Sequence, residues 1–367
     1  VEPDISMTET TRISDFDYHL PQELIAQTPV EPRDSSRLLV LQRATGTIEH
    51  RHFRDIGDYL RPGDLLIANQ SRVIPARLLG RRPGTGGAVE VLLLSQRADL
   101  GPDHWETLVR PGRRLREGAQ LVFGDEATGA LLHGEISQRT EAGGRIIRFS
   151  VEPLDTQSNT PTVQELIDKI GKMPLPPYIH EPLQDPERYQ TVYARITGSA
   201  AAPTAGLHFT PRLLDELRAK GVRIGFVTLH VGLDTFRPVE VEDYREHKMH
   251  SEEIHLDAET ADLINETRAS GGRVVAVGTT AVRTLESVAS IYNGQIKPYS
   301  GSTRLYITPG YRYQVVDAMI TNFHLPRSTL LLLVSAFTGK ALMEKAYQEA
   351  IRERYRFFSF GDAMLIL

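Results

Sequence analysis

Between about Arg72 and Glu152 the chain consists of short apolar runs separated by glycine and proline, with no helical pattern among them. The runs are AVEVLLL (88–94), ETLVR (106–110), AQLVF (119–123), ALLHGEI (130–136) and RIIRFSV (145–151). Strands at this spacing can bury an apolar face only by pairing with one another, which predicts an antiparallel sheet or small barrel. On either side of this stretch the pattern changes to strand followed by helix, the signature of an α/β domain. The expectation is an α/β domain that is discontinuous in sequence, residues 1–71 plus 153–367, interrupted by an inserted β domain at 72–152.

Within the α/β portion, apolar runs at 38–41, 64–68, 222–231, 273–277 and 315–323 read as strands. Helical patterns cover 162–171, 211–220, 258–270 and 280–290, then an apolar helix capped by Ser328 and a second one over 340–355. Pro21 stands at a first helical position within 14–27, and 185–194 also reads as helical. The prolines of KMPLPPYI (172–179) force an extended segment. No G-x-G-x-x-G follows any of these strands, so a dinucleotide fold is not supported.

Composition narrows the function classes. A chain of 367 residues that is 40% hydrophobic can bury a sizeable core in two domains. It has no cysteine, which excludes disulfides, thiolate zinc sites and a cysteine nucleophile, and fits a reducing cytoplasm. The polar, acidic start VEPDISMTETTRIS reads as a tail without a signal-peptide core. Apolar runs such as Leu330–Val334 fall far short of the roughly 20 residues that span a bilayer, so no membrane partner is expected. Forty-two Lys plus Arg against 47 Asp plus Glu give a net charge of −5, which argues against a protein coated in positive charge. Local arginine clusters remain, at Arg77, Arg81 and Arg82 and at Arg110, Arg113, Arg114 and Arg116. On a small barrel such clusters suit a phosphate-tracking surface; the bland reading is solvated strand ends.

The chemistry concentrates in Thr228–Glu252, which holds His230, Arg237, His247, Lys248, His250 and Glu252. His230 follows a strand, and ligands in α/β folds collect at the carboxyl ends of strands. Thr279–Thr280 and Asn322–His324 also sit at strand ends, and His208 closes a small-residue loop. If those strands are neighbours, the groups converge. Strand, Gly-Thr-Thr, helix resembles an anion-binding helix start. For His50, His133 and His180 the structural reading is favoured, as is core packing for Phe357, Phe358 and Phe360 and a solvated helix face for 352–356. The His247-x-x-His250 pair has no third ligand at a fixed spacing and H-E-x-x-H is absent, so no metal is expected.

Taken together, SDFDYHLPQELIAQTPVEPRDSSRLLV, GDLLIANQSRVIPARLLG, KMPLPPYI, GSAAAPTAGLHFT, TLHVGLDTFRPV, HKMHSE, ITNFHLPRSTLLLLVSAF and YRFFSFGDAMLIL resemble the S-adenosylmethionine:tRNA ribosyltransferase-isomerase family of queuosine biosynthesis. The resemblance runs from about Ile13 to Leu367. It implies an open-barrel-like α/β domain with an inserted antiparallel β-barrel. It also implies a cytoplasmic transferase and isomerase acting on tRNA that carries the queuosine precursor base. S-adenosylmethionine would be a consumed substrate and no other cofactor would be needed. A monomer is expected, with a dimer as the alternative.

Under this resemblance His230 or His250 is the general base, Glu252 orients a histidine or senses the sulfonium, and His324 and His208 protonate or hold leaving groups. Asn69, Ser71, Arg237, Thr279, Thr280 and Asn322 hold the two ends of S-adenosylmethionine. Arg33, Arg37, Arg77, Arg113 and Arg114 meet tRNA phosphates. The chain departs from the family pattern at Asp234, where glycine is usual, at Glu253 and at Ala281.

Overall fold

The computed structural model describes residues 11–140, 143–154, 159–232 and 239–367. Strands β1 (Arg37–Gln42) and β2 (Thr47–His52) form a hairpin, and β3 (Leu65–Asn69) leads into the short β4 (Ser71–Val73). Six antiparallel strands then close into a barrel: β5 (Arg77–Arg81), β6 (Ala88–Gln96), β7 (His104–Arg110), β8 (Gln120–Phe123), β9 (Ala130–Arg139) and β10 (Arg145–Pro153). Their order around the barrel is β10-β7-β6-β5-β8-β9, which leaves no open edge. Alternate side chains such as Leu78, Val91, Leu121, Phe123, Ile147 and Phe149 fill the interior. Helix α1 (Val163–Ile170) adds Leu166 and Ile167 to that core and starts at a capping box between Thr162 and Glu165.

The chain then returns to the α/β domain through β11 (Ile196–Ser199), which pairs with β4, and continues as α2 (Pro211–Ala219) and β12 (Arg223–Leu229). Next come β13 (Glu252–Leu256), α3 (Ala258–Ala269), β14 (Val274–Val277) and α4 (Thr279–Ile291). The last elements are β15 (Tyr299–Thr303), β16 (Ala318–Asn322), α5 (Thr329–Thr338), α6 (Lys340–Arg352) and β17 (Ala363–Ile366). Nine strands form one mixed sheet in the order β15-β13-β12-β3-β14-β16-β17-β1-β2. Its centre, β12-β3-β14-β16, is parallel. Both faces are covered, which is why these strands read as continuous apolar runs. Leu39, Leu65, Ile67, Val227, Val274 and Met319 face α3 to α6, while Leu38, Leu66, Ala68, Val275, Ile320 and Leu365 face α2. The α/β fold with an inserted β-barrel agrees with the expectation.

Two expected helices are only single 3-10 turns. The first spans Gln22–Leu24, because the chain beyond it pairs with Phe357: Phe357 N–H donates to the Leu24 carbonyl and Ala26 N–H to the Phe357 carbonyl. The second spans Pro186–Tyr189, where the Arg33 guanidinium takes the Glu187 and Gln190 carbonyls at 2.9 and 2.8 Å. In the 352–356 run Arg352, Glu353 and Arg354 are exposed, as expected of a solvated face, and Tyr355 is the exception. Tyr355 is fully buried, with the Arg37 guanidinium 3.7 Å over its ring. No helix among the described residues is long and apolar enough to cross a membrane.

Candidate active site

The parallel centre of the sheet brings the carboxyl ends of β12, β3, β14 and β16 to one edge, which delivers His230, Asn69, Thr279–Thr280 and Asn322–His324 to the same side. Because β17 and β1 run against β16, their starting residues Asp362 and Ser36–Arg37 arrive at this edge too. A cleft opens there. Thr279, Thr280, Asn322 and His324 line it, together with Thr204, Tyr178, Phe358 and Ser359.

Thr279 and Thr280 open helix α4. The residue before them, Gly278, has φ +88° and offers no side-chain cap. The first-turn N–H groups therefore lack a side-chain acceptor, the arrangement that favours an anion or a polar ligand oxygen. Thr280 Oγ1 is buried without a hydrogen-bond partner among the described residues. Across the cleft, His324 is half-buried, with Nε2 2.7 Å from Thr321 Oγ1. Its backbone is pinned on both sides: its N–H donates to the Tyr347 hydroxyl oxygen at 3.0 Å, and its carbonyl accepts from the Tyr18 hydroxyl. Burial pushes the His324 ring down to about 3, so it is neutral at physiological pH.

His230 lies one residue before Val231, which lines the cleft. Its ring rests against the α-carbon of Gly198, whose φ is +144° and where an added Cβ would stand 2.8 Å from His230 Cε1. His230 Nδ1 is buried without a partner among the described residues, and burial lowers the proton affinity of the ring. His250 Nε2 is 3.2 Å from Glu252 Oε1, and the other Glu252 oxygen pairs with the Arg283 guanidinium. Burial works against charge on Glu252, but Arg283, His250 and the Gly232 N–H outweigh it and hold the carboxyl below its ordinary value. The buried carboxylate thus fixes both a histidine and an arginine from α4.

Other expected residues take different roles. Asn69 is buried at the sheet edge; its Nδ2 donates to the Leu229 carbonyl at 2.9 Å and its Oδ1 accepts from Ser71 and Leu229 N–H. It clamps β3 to β12, and neither it nor Ser71 lines the cleft. His208 lies behind Asn322 rather than in the cleft, stacked on Phe53 at 5.0 Å between ring centroids. Arg237 and Asp234 fall outside the described residues.

The arginines also divide. Arg33 is spent on backbone carbonyls, and burial, with Arg188 nearby, lowers its proton affinity to about 10. Arg37 donates to the Glu353 carbonyl at 2.6 Å. Arg77 is held by Glu90 at 3.0 and 3.1 Å. Arg113 and Arg114 are exposed on the loop between β7 and β8, with no ion-pair partner among the described residues. A second groove runs between the barrel and the proline-rich segment, but its Arg72, Arg77, Arg110 and Lys172 are balanced by Glu90, Asp168, Glu181 and Glu187.

Sequence reasoning missed Thr204, Tyr178, Ser359, Arg283 and Gly198, and assigned Phe358 to the core. Phe358 is buried, yet it lines the cleft at φ +69°, a strained backbone for a bulky residue. Tyr178 donates or accepts at 2.7 Å with Ser359 Oγ and packs on Phe358 at 4.8 Å between centroids. Arg283 lies on the 280–290 helix; for the others the sequence signal was membership in the motifs GSAAAPTAG, KMPLPPYI and FFSFGD. Among the described residues no three His, Asp or Glu side chains gather as they would around a metal ion.

Comparison with known proteins places this architecture. The family model described as "Queuosine biosynthesis protein" matches residues 13–366. A relative from Symbiobacterium thermophilum named S-adenosylmethionine:tRNA ribosyltransferase-isomerase is 61% identical over 97% of this chain and 100% of its own length. One of the same name from Moorella thermoacetica is 58% identical over 97% and 100%. The crystal structure of an S-adenosylmethionine tRNA ribosyltransferase from Thermotoga maritima is 44% identical, covers 96% of this chain and 100% of its own, and superposes with a TM-score of 0.54. These full-length similarities show that the chain belongs to the queuosine biosynthesis family of S-adenosylmethionine:tRNA ribosyltransferase-isomerases.

Proposed function

We propose that this enzyme transfers and isomerises the ribosyl moiety of S-adenosylmethionine onto the aminomethyl-deazaguanine wobble base of tRNA, giving epoxyqueuosine and releasing adenine and methionine. S-adenosylmethionine is consumed as a substrate, and the reaction calls for no further cofactor. The observation that carries the reading is the convergence of Thr279–Thr280 and Asn322–His324 in one cleft, beside His230 and the His250–Glu252–Arg283 cluster.

The chemistry assigns work to these groups. The sulfonium acidifies the neighbouring ribose carbon, and a histidine base removes its proton to form an ylide. Opening of the sugar expels adenine, and the aminomethyl nitrogen attacks the former anomeric carbon. Closure of the epoxide expels methionine. His230 and His250 are the candidate bases; Glu252 orients His250 and provides negative charge near the sulfonium. Neutral His324 is suited to donating or accepting a hydrogen bond to a departing group. The open start of α4 suits a polar or anionic end of S-adenosylmethionine.

Incubation of precursor-bearing tRNA with S-adenosylmethionine tests this reading. Free adenine and methionine are the expected products, with turnover unaffected by chelator. S-adenosylhomocysteine would indicate methyl transfer instead, and tRNA binding without product would indicate a non-catalytic RNA-binding protein. Replacement of His230 and His250 separately should lower adenine release by about 100-fold or more for whichever is the base. Near-normal release from both variants would remove both from that role.

A further inference from the structure

Asn322 is buried at the edge of the cleft, and its surroundings determine how its amide is turned. One amide atom lies 3.2 Å from the Phe358 carbonyl and 3.5 Å from the Asp362 carbonyl. Carbonyl oxygens only accept, so this atom is Nδ2. The same nitrogen is 3.2 Å from His208 Nε2. An amide NH₂ only donates, so Nε2 must be the bare, accepting nitrogen of a neutral ring. The ring proton therefore sits on Nδ1 and is donated to Ser36 Oγ at 2.7 Å. Three acceptors share the two amide hydrogens, which leaves no donor for a ligand. Asn322 Oδ1 accepts from Thr204 Oγ1 at 3.1 Å, and this uses one of its two lone pairs. Both residues line the cleft.

We infer that His208 is a positioning residue that locks Asn322 with its acceptor toward the cleft, and that Asn322 takes a hydrogen-bond donor of the substrate, a hydroxyl or an amine. Protonation of His208 would set an N–H against the amide NH₂, two donors face to face. The environment opposes that: burial first, then the charges of Arg356 and Arg33, push the ring down to about 3. Stacking on Phe53 fixes the ring plane. The inference rests on the cleft being the S-adenosylmethionine and base site.

Three measurements test it. In protein with ¹⁵N-labelled histidine and no substrate, the His208 signal, assigned by its loss in H208Q, should report a neutral ring with the proton on Nδ1. It should not titrate between about pH 5 and 8, the window of an ordinary histidine. An Nε2–H ring, or titration in that window, overturns the assignment. This readout does not depend on turnover, so it decides the tautomer even if the proposed reaction fails.

In kinetics, H208Q supplies an amide oxygen where Nε2 accepts, and should keep turnover within about 5-fold of wild type, whereas H208L and N322A should each lose about 10- to 100-fold. A folded H208Q that loses as much as N322A makes His208 a proton carrier and overturns the positioning role. Finally, N322A should weaken binding of S-adenosylmethionine and of its decarboxylated analogue by the same factor. A factor that disappears with the decarboxylated analogue would put the carboxylate at Asn322 and overturn the donor assignment.

Discussion

His208 and His324 are both held neutral far below the ordinary histidine range, each pushed to about 3, chiefly by burial. An unfolded histidine takes up a proton near pH 6.5, whereas these folded ones do not. Between about pH 6.5 and 3 the unfolded chain therefore binds more protons, and stability falls as pH falls. For His208 the loss approaches about 1.4 kcal/mol per pH unit below 6.5. Urea unfolding at pH 7 and pH 5 should show this decline, and H208Q should flatten it by that amount. At Gly198 the constraint is steric. The φ of +144° and the 2.8 Å approach to the His230 ring leave no room for a methyl group. Gly198→Ala should cost roughly 1–2 kcal/mol of stability and lower turnover about 10-fold or more by displacing His230. Wild-type turnover in a folded Gly198→Ala protein would separate His230's position from the chemistry.

At the scale of elements, α4 holds two strands in place as well as opening onto the cleft. From its second turn, Arg283 reaches Glu252 at the start of β13. One turn later the fully buried Glu286 accepts from Val315 and Val316 N–H at 3.0 Å, from Gln314 N–H at 2.9 Å and from the Tyr311 hydroxyl at 3.0 Å. That carboxylate ties the segment entering β16 to the helix and so fixes the height at which Asn322 and His324 meet Thr279. Glu286→Ala strands three backbone N–H groups and should destabilise by about 3 kcal/mol or more, read as a lower urea midpoint. The spacing of Arg283 and Glu286 puts them one turn apart on α4, but nothing local in the sequence points to their partners, because each lies on a segment distant in sequence. The strands β12, β14 and β16 were legible because both faces of a parallel sheet are apolar. The edge strand β2, TIEHRH, was not: its exposed faces carry no apolar period.

For the whole molecule, the barrel presents Arg113 and Arg114 to solvent on a loop away from the ion pairs that occupy Arg77. If tRNA phosphates meet the two free arginines, removing both should make the log–log slope of tRNA affinity against salt shallower by about 1.4, at roughly 0.7 per contact. Arg77→Ala should change it little, and Arg33→Ala should lower stability instead, since its guanidinium holds three carbonyls. Filter-binding titrations from low to moderate salt would separate the three. An unchanged slope for the double variant would place the tRNA elsewhere.

The sequence alone determined the fold class, an α/β sheet together with an antiparallel β-barrel, because hydrophobic period is local and differs between the two. It also located the chemical groups at the ends of β12, β14 and β16. What each polar group is free to do was decided only by tertiary structure. Asn69 and Arg33 look like ligand-binding residues in one dimension, and in three dimensions the donors of both are consumed by backbone carbonyls. Asn322 looks the same, but carbonyls from Phe358 and Asp362 and the ring of His208 turn its acceptor end outward. Hydrogen-bond capacity is finite, and the partners that exhaust it come from anywhere in the chain.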